Sequence, residues 1–553
     1  METLGLRSEC ASVDMLVRIL YALAVCVCAA HAANILAVFP TNTRSHYAMY
    51  GRLVNALAKR EHNLTVITHF PMKNPPTNVQ EISLAGSIPE IMNNLTDIRN
   101  AHKYTLKPAY IRNLESIIRE CVHACNVVAQ KEAVRRLLET RTKFDLVMVE
   151  VFGTDCLLPL GERFDAPVVG LLSSVPLPWV NEQLGNPDGT AYIPAYMMGF
   201  GQRMTIWERF ANTVAVMWAK FLYKYKSQIP SQAIADRLFG DAPRLDSLAR
   251  NYSLVLSNSH FSINDVRPLG PSLVEVGGLH LPEVQKLPEE LKQFLDRSTE
   301  GVVYWTFGSM SRIETIPREK LLVIFSAISE LSYPVLVKMD RKLLPHNMTL
   351  PANMHMMEWI PQYGTLCHPN VKLFITHGGL LGTQEAVSCG VPMLMVPLYA
   401  DQALNARAMA DRGVAHTVQL YDSNIDDWRY AFNELLSNRR YYENSLKLKE
   451  KFLDRPVPPL EAGVYWIEYV IRHKGAQHLR SPALDLSYTQ YFLLDIIAIS
   501  LVITYATIYI LHKLFRYLCT RCIRWPKAFG LEKQLGSNKR LFSVFWIFKI
   551  KTS

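Results

Sequence analysis

The sequence predicts an α/β protein of two successive halves, each built on a parallel sheet, followed by a membrane-spanning helix. Three observations carry this expectation. Strand-like and helical runs alternate in two series, a proline- and glycine-rich stretch separates the series, and one long apolar segment lies near the end. With 553 residues, 49% hydrophobic and 20% charged, the chain is too long for one ordinary core and too apolar for disorder.

From the front, residues 16–30 are apolar, with Arg18 near the start and Ala30-His31-Ala32 as a small-x-small cleavage pattern, so residues 1–32 are expected to be a signal peptide. The first half, 33–267, follows at once. Residues 35–41 read as a strand, 45–60 as a helix, and 64–70 and 144–150 as further strands. Pro-Leu-Gly-Pro, Gly-Gly and two further prolines then mark a linker over 268–290. The second half, 291–488, carries β-rich runs at 302–307, 334–338, 371–376 and 392–397, with helical patterns such as 319–331 between them.

Residues 491–511 are predominantly apolar, interrupted by Asp495, and long enough for a hydrocarbon core of about 30 Å. Lys513, Arg516, Arg521, Arg524 and Lys527 stand beyond it, which places the tail, 512–553, in the cytosol and the body in the lumen. Lys549 and Lys551 resemble a dilysine retrieval signal, so the expected address is the endoplasmic reticulum membrane, single-pass, type I. The apolar run 541–550 is expected to rest on the membrane surface.

The net charge of +10 would suit nucleic acid, but the tail alone holds ten Lys/Arg against one acidic residue. The nearly neutral body offers no phosphate-backbone groove, and nucleic acid is excluded as a partner. Four Asn-x-Ser/Thr sequons, at Asn63, Asn94, Asn251 and Asn347, all fall on the body, in agreement with a lumenal side. Five cysteines remain in the body, an odd and unclustered set that reads as no disulfide framework. Cys121 and Cys125, four apart, read as one helix face rather than a metal site.

The segment 359–402 is the most informative. A buried strand, Val371-Lys-Leu-Phe-Ile-Thr, runs into His377-Gly378-Gly379, and a helix follows to Cys389, capped by Gly390. Glycines between a strand and a helix start let backbone N–H groups approach an anion, and His377 adds a side-chain donor. Glu385, about two turns down the helix, is placed to grip ribose hydroxyls. Trp359-Ile-Pro-Gln362 precedes this turn and Asp401-Gln402 follows it, so uracil stacking, phosphate, ribose and sugar hydroxyls are all provided for.

In order and spacing this segment resembles the signature of UDP-glycosyltransferases, and His377-Gly-Gly-Leu-Leu-Gly-Thr-Gln-Glu385 resembles their insect branch. The resemblance spans nearly the whole chain and implies the GT-B fold, two facing Rossmann-like domains with the donor on the second. It assigns Ser309 and His377 to the diphosphate with Gly379 in the phosphate turn, Trp359 and Gln362 to uracil, Glu385 to the ribose, and Asp401 with Gln402 to the sugar. Leu381 stands where many relatives have Asn, which removes one polar contact.

Transfer to a hydroxyl needs a base. His46 lies just after the first strand, at a helix start that keeps its ring neutral, and it matches the family's catalytic histidine. The family's partner acid follows a later strand, where this chain has Glu150, with Asp155 as rival. The implied reaction is a single inverting displacement without a metal or other cofactor, with UDP-sugar as co-substrate. No Asp-x-Asp triplet occurs.

A small lipophilic acceptor is expected in a pocket built from 92–109 and 179–218, including Met197, Met198, Phe200, Met204 and Trp207. Glucose is the expected sugar, because Arg407 is nearly two turns from Asp401 and no cation is at hand for a glucuronate carboxylate. The alternatives are a glucuronosyltransferase or a catalytically silent lipid-binding ectodomain. Homo-oligomer formation is left open.

Overall fold

The computed structural model describes residues 32–89, 94–96, 109–282, 286–344 and 348–528. The expected signal segment up to residue 31, Asn347, most of 92–109, and the tail beyond residue 528 lie outside these. Contacts divide the chain into Met1–Leu484 and Asp485–Ser553.

Within the first unit, seven strands form one parallel sheet: β1 (Asn34–Phe39), β2 (Asn63–Thr68), β3 (Val79–Ser83), β4 (Leu146–Glu150), β5 (Val168–Leu172), β6 (Leu254–Ser257) and β7 (Leu273–Glu275), in the order β3-β2-β1-β4-β5-β6-β7. Six more form a second parallel sheet: β8 (Val302–Thr306), β9 (Val335–Lys338), β10 (Met354–Met357), β11 (Val371–Thr376), β12 (Met393–Met395) and β13 (Ala415–Thr417), in the order β10-β9-β8-β11-β12-β13. Both are doubly wound, and the order reverses between β1 and β4 in the first and between β8 and β11 in the second. Ligands of such sheets bind at these reversal points, beyond the carboxyl ends of the strands.

The helices that matter here are α1 (Arg44–Lys59), α2 (Ala109–Gln130), α3 (Pro178–Leu184), α4 (Ile206–Leu222), α5 (Gln362–Leu366), α6 (Leu380–Cys389), α7 (Gln402–Asp411), α8 (Pro459–Arg472) and α9 (Leu494–Ala528). In α1, Met49, Tyr50, Leu53, Val54 and Leu57 form the stripe that buries against the first sheet. β1, β4, β8 and β11 are apolar almost throughout, as strands covered on both faces must be.

Two boundaries differ from the sequence expectation. β7 lies inside the expected linker and pairs with β6, so the first domain runs on to Glu275. α8 belongs to the second half in sequence, yet Val464, Ile467 and Val470 complete the core of the first lobe with Ile35, Leu53 and Leu57. The chain therefore crosses between lobes twice. Periodicity shows that α8 has an apolar face but not which sheet that face meets.

The cysteine reading is also corrected. Cys125 pairs with Cys156, and Cys367 with Cys389, which leaves Cys121 buried and free. Cα separations of 6.5 and 4.7 Å bring partners far apart in sequence within bonding reach. Asn63, Asn94 and Asn251 are all exposed.

In the second unit, Leu494–Arg521 of α9 is long and apolar enough to cross a membrane, with a mean hydropathy of 2.1. Asp495 sits in its first turn and accepts from the Ile496 N–H at 2.9 Å, one of the donors a helix start leaves unpaired.

Candidate active site

β1 and β4 pair in register from Ile35↔Leu146 to Val38↔Val149, so the chain leaving β1 passes the end of β4. This brings His46, in the first turn of α1, to Glu150, the last residue of β4, with Nδ1 2.7 Å from Oε1. The Glu150 side chain is buried and fully engaged. The Thr41 hydroxyl lies 2.8 and 2.7 Å from its two oxygens, the Thr41 N–H donates at 3.3 Å, and Tyr50 donates its O–H at 3.3 Å. Burial and the neighbouring Glu150 hold the Tyr50 phenol well above its usual range, so it remains a donor.

A carboxylate only accepts, so Nδ1 is the His46 nitrogen that donates to Glu150, and Nε2 is not used in that contact. Phe152 meets the ring edge-on at 4.9 Å and fixes its plane. Asp155 has no part in this arrangement. It is buried among Gln183 and Gln228, whose amides donate to it at 3.0 to 3.2 Å, and burial raises its carboxyl to about 6. Of the two candidate acids, the geometry brings only Glu150 to His46.

Across the cleft, Thr306 of β8 stands opposite Thr376 of β11, so the turns after these strands leave side by side. One carries Gly308 and Ser309, the other His377-Gly378-Gly379. The His377 ring fits between glycines: a Cβ on Gly308 would sit 2.9 Å from its Cε1, and one on Gly379 2.6 Å from its Nε2. Gly378 has φ +86°, a conformation that favours glycine. Burial lowers the His377 pKa to about 4, so the ring is neutral near pH 7, and its buried Nδ1 has no protein partner.

Glu385 lies on α6 and Gln362 opens α5, and the Gln362 amide donates to the Glu385 carboxylate at 2.5 Å. Burial pushes that carboxyl up to about 7. Trp359 is 67% exposed, its face covered by the Lys338 ammonium at 5.1 Å, while Lys338 also donates to the Gly308 carbonyl at 3.0 Å. Asp401 precedes α7, accepts from Asn405 at 3.0 Å, and is raised by burial. Gln402 spends its amide oxygen on the Leu398 and Tyr399 N–H groups, which leaves its NH₂ as the end able to donate to a ligand.

These groups face one cavity of about 640 Å³ between the lobes. His46 and Phe152 form one side, Ser309, Trp359, His377 and Asp401 the other, and α2 supplies a mixed wall, with Asn113, Ser116, Glu120 and His123 beside Ile117, Cys121 and Ala124. This corrects the acceptor-pocket expectation. Tyr196 reaches the cavity, whereas Met197 and Met204 are buried in the core and Trp207 points outward, 77% exposed.

Sequence reasoning missed Thr41, Tyr50, Lys338 and Gln384. Gln384 ties the lobes together, accepting from the Gly278 N–H at 2.9 Å and donating to the Asn258 carbonyl at 3.0 Å. Leu381, the departure from the family pattern, lines the cavity, and its carbonyl accepts from His280 Nε2 at 3.2 Å.

The family described as UDP-glucoronosyl and UDP-glucosyl transferase matches residues 34–528. The chain belongs to this family. It is 34% identical over 522 residues to UDP-glucosyltransferase 2 of Dactylopius coccus, covering 94% of this chain and 99% of that relative. It is 30% identical over 497 residues to UDP-glucuronosyltransferase 1A6 of Mus musculus, covering 86% and 90%. The solved UDP-glucose: anthocyanidin 3-O-glucosyltransferase in complex with UDP superposes with a TM-score of 0.52 at 17% identity, over 79% of this chain and 99% of that one. The fold is GT-B, the protein is a glycosyltransferase, and its donor is a UDP-sugar.

Proposed function

We propose that the chain transfers glucose from UDP-glucose to the hydroxyl of a small lipophilic acceptor, with inversion, as a detoxification-type conjugating enzyme of the endoplasmic reticulum membrane. The observation that carries this reading is the shared cavity, with the His46 ring on one side and Asp401 on the other.

In the proposed reaction Nε2 of His46 takes the acceptor proton as the oxygen attacks the anomeric carbon. The bond from that carbon to the diphosphate breaks and UDP departs. Glu150 holds the ring and stabilises the imidazolium. Ser309, His377 and the N–H groups at the start of α6 receive the charge developing on the diphosphate without a metal ion. Trp359 and Gln362 hold uracil, Glu385 the ribose, and Asp401 with the Gln402 amide the sugar.

Glucose is favoured because Arg407 is paired with Asp411 at 2.8 Å on an exposed face, so a glucuronate carboxylate would lie beside Asp401 without that cation. Glucuronic acid is the competing donor, since Arg44 also lines the cavity. The anchor is assigned to α9, with the body lumenal. The test is kcat/KM for both donors with a generic phenol, on the full chain in membranes. A preference of at least about tenfold for UDP-glucose is expected. A preference for UDP-glucuronic acid overturns the sugar, and unchanged rates in chelator are expected.

A further inference from the structure

The connection from α3 to α4, residues 185–205, has no regular secondary structure. Loops this long are uncommon in a compact domain and usually serve function. Where this one passes the cavity it is held firmly. Asn212 of α4, fully buried, accepts from the Ala195 N–H at 2.7 Å and donates to the carbonyls of Thr190 and Ile193 at 2.8 Å each. The Met198 N–H then closes a turn on the Ala195 carbonyl at 3.0 Å. Within that turn Met197 has φ +73°, a left-handed conformation that is strained for a residue with a long side chain. Strain of this kind persists only where the surroundings over-determine it, and it gathers at sites that must hold a side chain in one direction. The side chain held here is Tyr196, which lines the cavity although it is only 6% exposed.

Beyond the turn the loop leans on the other lobe. Leu404 of α7 belongs to the core cluster that holds Tyr196 and Met197. A Cβ on Gly199 would lie 3.6 Å from that of Ala403, and one on Gly201 would lie 2.5 Å from an Asp411 carboxylate oxygen. α7 is the helix that Asp401 precedes and Gln402 opens. The loop therefore crosses the cleft beside the pair assigned to the sugar. Burial, and after it the Asp401 carboxylate, hold the Tyr196 phenol well above its usual range, so the ring keeps its proton near an acceptor group. The Ser174 hydroxyl, on the same cavity, is within hydrogen-bonding reach of it. A protonated phenol both donates and accepts. Two hydroxyls close to a carboxylate suit a polyol better than a lipophilic ring.

We propose that the Tyr196 hydroxyl binds a hydroxyl of the transferred hexose opposite Asp401, so that the sugar is held from both lobes and the first lobe takes part in selecting the donor. This rests on the reading of Asp401 and Gln402 as the sugar site. UDP alone lacks the hexose, so its affinity is independent of the contact.

Tyr196→Phe removes the hydroxyl and keeps the ring. The full chain in membranes is assayed with UDP-glucose and with its monodeoxy analogues, each sugar hydroxyl being removed in turn, and UDP affinity is measured by calorimetry. In the variant kcat/KM for UDP-glucose should fall about fivefold, the worth of one neutral hydrogen bond, while UDP affinity and the acceptor KM stay unchanged. With one deoxy donor, the one that lacks the bound hydroxyl, variant and wild type should be equal. Equal losses on every donor would mean a general disturbance of the loop and overturn the proposal. An unchanged kcat/KM for UDP-glucose also overturns it, as does a loss confined to the acceptor KM, which would assign Tyr196 to the acceptor. Asp401→Asn is measured in parallel. If that variant matches wild type on UDP-glucose, the sugar site lies elsewhere, and the reading fails first and the proposal with it.

Discussion

The two sides of the cavity are finished to different degrees. On the first lobe every hydrogen bond that Glu150 needs comes from the protein itself, through Thr41, Tyr50 and His46. On the second lobe the polar groups are less completely partnered: among the described residues Nδ1 of His377 has no protein partner, Glu385 accepts from Gln362 alone and is raised to about 7, and Trp359 lies largely open. In the proposed reaction the difference is between a group that must hold its geometry before any substrate arrives and groups whose last partners would be the substrate. Buried polar atoms without partners are costly, so a ligand that supplies them binds with that energy.

The contrast is broken most severely at His46. His46→Ala should lower kcat by about 10³-fold while UDP affinity stays unchanged, because the base and the donor cradle lie on different lobes. Glu150→Gln should share much of that loss. Asp155→Asn should leave kcat near wild type and alter the melting temperature instead. Equal kinetic losses at 150 and 155 would show that the acid assignment is wrong.

His377→Ala tests the unfinished side. Removing this donor should weaken UDP binding by about tenfold, the worth of one hydrogen bond to a charged group. Calorimetric titration with UDP measures it, and unchanged affinity would take His377 out of the phosphate site.

The smallest effect is a pH dependence that sharpens the comparison. Ribose hydroxyls donate to a carboxylate, so UDP should prefer ionised Glu385, whose pKa in the free protein is about 7. Below that value binding must expel a proton, and affinity should fall as pH drops from 7 toward 6, by up to about tenfold per unit, and level off above 7. His377, lowered to about 4, stays neutral across this window. UDP phosphates titrate here too, so the decisive comparison is Glu385→Gln, which should flatten the profile relative to wild type.

How much was legible in the sequence follows from how local each feature is. The donor turn could be read because strand, glycines and helix are contiguous from Val371 to Gly390, and the structure keeps those limits. Glu150 and Asp155 could not be separated by inspection, since both follow the same strand and only the register of β1 on β4 decides which one meets His46. Pairings such as Cys125–Cys156 depend on long-range packing that spacing does not encode. Composition also places Met197, Met204 and Trp207 in the acceptor pocket, because it does not state which side chains turn inward and which, like Trp207, turn outward.

The double crossing of the chain sets an order of events during synthesis. Val464, Ile467 and Val470 cover one face of the first sheet, yet the ribosome makes them only after the whole second lobe. For roughly 180 residues after β7, about 10 to 40 seconds of elongation at ordinary rates, Leu57, Val169 and their neighbours stand uncovered. The nascent first lobe is therefore a client for chaperones, and a chain stopped before Pro459 should be cleared by quality control even though His46, Glu150 and every residue that lines the cavity have already been made.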